Sequence, residues 1–178
     1  MIRGLLRLGI LGTVAAVVTD RILTARAGDT IDQLISSLVV VDAPIERVWA
    51  VMADIEGQPR WMADMKSVRM LTSPPVGVGT RAVSTIRMMG VAVQDPVTIT
   101  EFEPPRRLSL RHEGAWNGGG TIALEPGADG TTTIVRWDER LIPPLLPSLG
   151  AVVQRPLFAS VFQRDLERLK DLVESGAA

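Results

Sequence analysis

Hydrophobic positions along this chain change their period three times, and the changes mark out its elements. Gln33–Val41 is β-branched and reads as a strand. The stretch from Val41 to Met62, VDAPIERVWAVMADIEGQPRWM, then switches to helical spacing, with Ile45, Val48, Trp49 and Met52 on one face. Pro44 suits the first turn of that helix, while Asp42 and Glu46 offer its start an acceptor and a favourable charge. Gly57 and Pro59 stop it, and a second helical turn carries Trp61.

Alternation resumes in Lys66–Leu71, closed by Ser73-Pro74-Pro75. Thr80–Met89 follows the turn Gly77-Val78-Gly79, and Gly90 turns the chain into Val91–Phe102, where Pro96 marks a bulge or edge position. Arg107–Glu113 follows the turn at Glu103-Pro104-Pro105. Gly118-Gly119-Gly120 lacks the strand–turn–helix context of a phosphate cradle and reads as a flexible hairpin leading into Thr121–Glu125. Thr131–Ile142 is the last long strand. Residues 148–175 return to helical spacing, with Leu149, Val152, Val153, Phe158, Phe162, Leu166 and Leu169 on an apolar face and Arg164, Asp165, Glu167 and Arg168 on a solvated one. Pro156 is expected to kink this helix near its start.

The order is strand, two short helices, six strands joined by tight turns, and one long helix. It predicts an α+β fold in which a curved antiparallel sheet of about seven strands covers its apolar face with the C-terminal helix. A hollow between sheet and helix suits apolar ligands.

Residues 1–28 are different: Leu8–Thr19 is an uncharged run with Arg3, Arg7 and Arg21 near its ends. Three readings are open. The segment is a marginal membrane-spanning anchor with snorkelling arginines, a signal peptide ending near Ala25-Arg26-Ala27, or an amphipathic helix packed on the body or a membrane surface. We take the anchor as the expectation, which makes the protein membrane-associated, on an undetermined side. Residues 29–178 then form one separate domain.

Composition narrows the chemistry. The 178 residues carry a net charge of −1 with 22% charged residues, and no basic run is interleaved with aromatics, which argues against nucleic acid as a partner. No cysteine is present, which excludes disulfides, thiolate metal sites and thiol nucleophiles. His112 is the single histidine, so a histidine-cluster metal site is excluded, and no cofactor is expected. Alternation puts His112 on one face with Leu108 and Leu110, and Glu139 on one face with Val135, Trp137 and Leu141. If both faces look into the hollow, His112 and Glu139 form a buried pair capable of acid/base work. A hydrogen-bonded structural histidine is the reading we favour over a catalytic one.

Four features together resemble the START-like (SRPBCC) superfamily, in its polyketide cyclase/dehydrase and lipid-transport branch. They are VDAPIERVWAVMADIEGQPRWM at 41–62, GVGTR at 77–81, ITEFEPPRRLSLRHEG at 99–114, and GTTTIVRWDERL at 130–141 ahead of a long terminal helix. The resemblance implies a helix-grip fold with an internal cavity, and no shared catalytic motif. It also implies that Trp61 and Trp116 lie near segments that border the cavity mouth, where core or rim packing is the reading favoured over a specific ligand contact. Met65, Leu108, Leu110, His112, Val135, Trp137, Glu139, Phe158 and Phe162 complete the expected lining. The expected function is binding or transport of a small hydrophobic ligand such as a lipid, quinone or polyketide-like molecule. The alternatives are a cyclase or dehydratase using His112 and Glu139, and a partner-binding domain with a filled core.

Overall fold

The computed structural model describes residues 13, 15–22, 25, 34–88, 90–114, 116–142 and 147–177. The elements run β1 (Leu34–Val41), α1 (Ile45–Met52), a 3-10 turn (Gln58–Arg60), β2 (Met65–Met70), β3 (Arg81–Met88), β4 (Val91–Glu103), β5 (Arg107–Glu113), β6 (Asn117–Pro126), β7 (Thr133–Ile142) and α2 (Pro147–Glu174). The seven strands form one antiparallel sheet in the order β1-β7-β6-β5-β4-β3-β2. Strands β2 to β7 are a meander, and the two short helical elements carry the chain from β1, at one edge, to β2 at the other. This is the expected α+β helix-grip architecture.

Each helix buries one stripe. In α1 the buried residues are Ile45, Val48 and Met52, and Trp49 is half-buried with its ring edge-on to Phe102 at 5.3 Å. Pro44 stands at the N-cap rather than inside the first turn, and no side chain caps the helix. Asp42 instead gives its main-chain N–H to Glu174 in α2 at 2.7 Å. That contact belongs to a series. Gln163 Nε2 donates to the Leu38 carbonyl at 3.2 Å while its Oε1 accepts the Leu38 N–H, and Lys170 donates to the Val40 carbonyl at 2.8 Å. The polar flank of α2 thus satisfies the outer edge of β1, which would otherwise offer unpaired backbone to another strand. Leu166, Leu169 and Val173 on the neighbouring stripe are fully buried.

Two local expectations change here. Gly118, Gly119 and Gly120 are part of β6, not a hairpin, because their neighbours leave no room for side chains. Asp165 is buried at 4% exposure, not solvated, because it lies on the same stripe of α2 as Phe158, Phe162 and Leu169. Pro96 sits inside β4, paired with Val83 on β3 but past the last β4–β5 pair, Val97–His112, an edge position on that side as expected. Pro156 lies within a single helical span. The side chains of Leu149, Val152 and Val153 lie outside the described residues.

Most of residues 1–28 also lies outside the described residues. Residues 15–22 are helical, with Val17, Val18 and Ile22 exposed. Among the described residues no helix is long and apolar enough to cross a membrane.

Candidate functional site

The inner face of the sheet is largely apolar, and β4, β5 and β7 each contribute one ionisable side chain to a single cluster on it. His112 on β5 pairs in register with Gly118 on β6, and Glu139 on β7 pairs with Gly120. Strand β6 therefore lies between them, and it is bare there. A Cβ on Gly120 would fall 2.0 Å from Glu139 Oε2. Because none exists, the two side chains meet across the intervening strand, with His112 Nε2 3.1 Å from Glu139 Oε1. On the other side, His112 Nδ1 is 2.6 Å from Asp95 Oδ2. Val97 stands opposite His112 in the β4–β5 register, so Asp95, two residues away, reaches it diagonally.

The cluster is paired mostly within itself, leaving Asp95 Oδ1 as a buried acceptor without a partner among the described residues. Trp137 Nε1 donates to Glu139 Oε2 at 2.9 Å. Side-chain exposure is only 15% for His112, 9% for Asp95 and 3% for Glu139. Burial alone would lower the histidine's pKa, but the hydrogen bonds and charges of Asp95 and Glu139 outweigh it and raise it from 6.5 to about 10. At neutral pH His112 is therefore an imidazolium donating from both nitrogens to two carboxylates.

A cavity of about 140 Å³ lies between this cluster and α2. A single water occupies roughly 10–15 Å³ on the same measure, so the space suits an organic molecule. Met65, Leu108, Leu110, His112, Trp116, Trp137, Glu139, Phe158 and Phe162 all line it. Val135 and Trp61 do not: Val135 is fully buried, and Trp61, at 1% exposure, packs edge-to-face behind Trp137 with centroids 6.0 Å apart. Trp61 is thus core rather than a mouth residue, since the wall in front of it is Trp137.

Asp95, Gly120 and Asp165 also line the cavity and were not singled out from the sequence. Asp95 had a signal there, for it shares strand parity with Val93 and Val97. Among the described residues no group of three or more potential ligands is placed to hold a metal ion.

Comparison with known proteins follows the same lines. The sequence model of the family described as "Polyketide cyclase / dehydrase and lipid transport" matches residues 33–174. No curated protein matches the chain. Among solved structures, a START superfamily protein from Mycobacterium smegmatis superposes with a TM-score of 0.69 at 16% identity, over 80% of this chain and 97% of that one. A protein from Thermus thermophilus gives 0.66 at 21% identity, over 82% and 99%. The di-domain ARO/CYC BexL from the BE-7585A biosynthetic pathway gives 0.66 at 20% identity, over 79% of this chain and 46% of BexL. At these identities the likeness is one of fold.

Proposed function

This chain belongs to the polyketide cyclase/dehydrase and lipid transport family, and we propose that it binds a small apolar molecule in the sheet–helix cavity without transforming it. The observation that carries this reading is the cavity, which aliphatic and aromatic side chains line around a polar cluster paired mostly within itself, with Asp95 Oδ1 its one buried oxygen without a partner among the described residues. Burying apolar ligand surface contributes roughly 25 cal/mol per Å² before ordering costs are subtracted.

A cyclase or dehydratase acting through His112 and Glu139 is the second reading. It fits less well, because His112 and Glu139 already hold each other and are tied to Asp95 and Trp137, which leaves their reacting atoms engaged. Both ring nitrogens are also occupied.

The test is titration with prodan, a neutral naphthalene whose fluorescence reports an apolar environment. Wild-type protein should bind it saturably. Leu110→Trp, which fills the cavity from β5, should weaken binding about tenfold or more, a difference of about 1.4 kcal/mol or more. Equal binding by both proteins would place the probe elsewhere and contradict the reading.

We further propose that residues 1–28 tether this domain to a membrane. The uncharged run Leu8–Thr19, its flanking arginines and the exposed Val17, Val18 and Ile22 support it. Full-length protein should fractionate with membranes, and a chain beginning at Asp29 should not. Recovery of both in the soluble fraction would refute the tether.

A further inference from the structure

The helix side of the cavity holds a polar group that the proposed function leaves unused. Asp165 lies on the apolar stripe of α2, is 4% exposed and lines the cavity. Its Oδ1 accepts the Ala63 N–H at 3.0 Å. Among the described residues its Oδ2 has no hydrogen-bond partner and its carboxyl no ion pair, and unlike Asp95 Oδ1 this oxygen is not fully buried. Burial pushes the carboxyl up to about 6, against the Ala63 hydrogen bond and the charges of Arg168 and Arg164, with Asp64 adding to the rise. At neutral pH Asp165 is therefore mostly ionised, on an apolar wall and without a counter-ion in contact. A group in that condition lowers the stability of the empty protein.

The charge balance of the lining points the same way. Its acidic members are Asp64, Asp95, Glu139 and Asp165, and no lysine or arginine is among them. The one basic member, His112, spends both ring nitrogens on Asp95 and Glu139. An anionic ligand head would meet carboxylates and find no group free to neutralise it. A hydroxyl or amine would find the open oxygen of Asp165 on the helix side, since the other unpartnered carboxylate oxygen of the lining, Asp95 Oδ1, is fully buried beside Gly114.

We propose that Asp165 is the polar anchor of the cavity and that the ligand is an apolar molecule bearing an O–H or N–H donor, not a carboxylate or phosphate lipid. This rests on the ligand-binding reading above and adds the head-group chemistry to it.

The experiment is displacement of prodan, which has no donor, by four naphthalenes of matched size: naphthol, naphthylmethylamine, methoxynaphthalene and naphthoate. With wild-type protein, naphthol and naphthylmethylamine should compete about tenfold more strongly than methoxynaphthalene, and naphthoate more weakly still. In Asp165→Asn, which keeps an acceptor for Ala63, the ratio of amine to methoxynaphthalene competition, both measured on the same variant, should fall to about one. Asp165→Asn should also unfold later than wild type at pH 8 and together with it at pH 4, because the variant lacks the buried charge that forms as pH rises through about 6.

Naphthoate binding as well as naphthol, or an amine preference that survives Asp165→Asn, would overturn the proposal while leaving cavity binding intact. Earlier unfolding of Asp165→Asn at pH 8 would mark Asp165 as a structural acceptor and also overturn it. Failure of prodan itself to bind would remove the ligand-binding reading, and this proposal with it.

Discussion

Replacement of His112 by leucine is expected to destabilise the domain by about 3–5 kcal/mol, the usual consequence of removing one partner from a buried ionic cluster. The substitution fills the space but strands Asp95 and Glu139, which now share their only cation. The pH dependence distinguishes this from simple loss of packing. A histidine raised from 6.5 to about 10 on folding contributes stability that is fully present below pH 6.5 and lost as the pH rises through 10. Each pH unit of that separation is worth about 1.4 kcal/mol, so the contribution is of the order of 5 kcal/mol. Denaturant midpoints of the wild type should therefore fall between pH 7 and pH 10, and those of His112→Leu should lack that fall. A parallel decline in both proteins would mean that His112 is not the charged centre of the cluster. Replacing Asp95, His112 and Glu139 together by Asn, Leu and Gln should recover much of the loss, because no buried charge is then left unpaired.

Gly120→Ala should cost about 3 kcal/mol, which is large for adding one methyl group in a strand. The new Cβ would stand 2.0 Å from Glu139 Oε2 and 2.8 Å from its carboxyl carbon. Glu139 cannot swing clear, since Trp137 Nε1 and His112 Nε2 hold its two oxygens within the sheet–helix interior. Overpacking of this kind costs about 1–3 kcal/mol, and loosening a charge-assisted hydrogen bond adds about as much again. Chemical denaturation of Gly120→Ala, Glu139→Ala and the double variant measures the coupling. The double variant should lose clearly less than the two single losses combined, because the shortened side chain removes the clash. Strict additivity would show that Gly120 is required for its backbone and not for the room it leaves.

These two residues also show what was legible in the sequence and what was not. Alternation alone set His112 with Leu108 and Leu110, and Glu139 with Val135 and Trp137, so the inward direction of both followed from period two. Their meeting did not. It depends on the register of β5 and β7 against a third strand, and on that strand lacking side chains at Gly118 and Gly120. Read locally, three successive glycines signal a turn. In the folded protein they are paired within β6 on both sides, and they are glycines because Arg140, Leu110 and Glu139 crowd the positions side chains would take.

Asp165 illustrates the converse. Its spacing from Phe158 and Phe162 placed it on the apolar stripe of α2, but an acid among Arg164, Glu167 and Arg168 reads as solvated. Only the packing of α2 on the sheet and the Ala63 N–H show that it is buried. The α1 region was legible to a finer grain, because Ile45, Val48 and Met52 form a stripe that needs no distant partner to recognise. Trp61 was legible as core or rim packing, but not which of the two, since the residue packed against it, Trp137, comes from the far end of the chain.

The central claim is that the space between α2 and the sheet holds a small apolar molecule. Native mass spectrometry of the full-length protein purified from its own cells tests it most directly, with Leu110→Trp purified in parallel. The account predicts an added mass of a few hundred daltons on the wild type, released on denaturation and absent from Leu110→Trp. A bare wild-type chain, or the same added mass on both proteins, would contradict it.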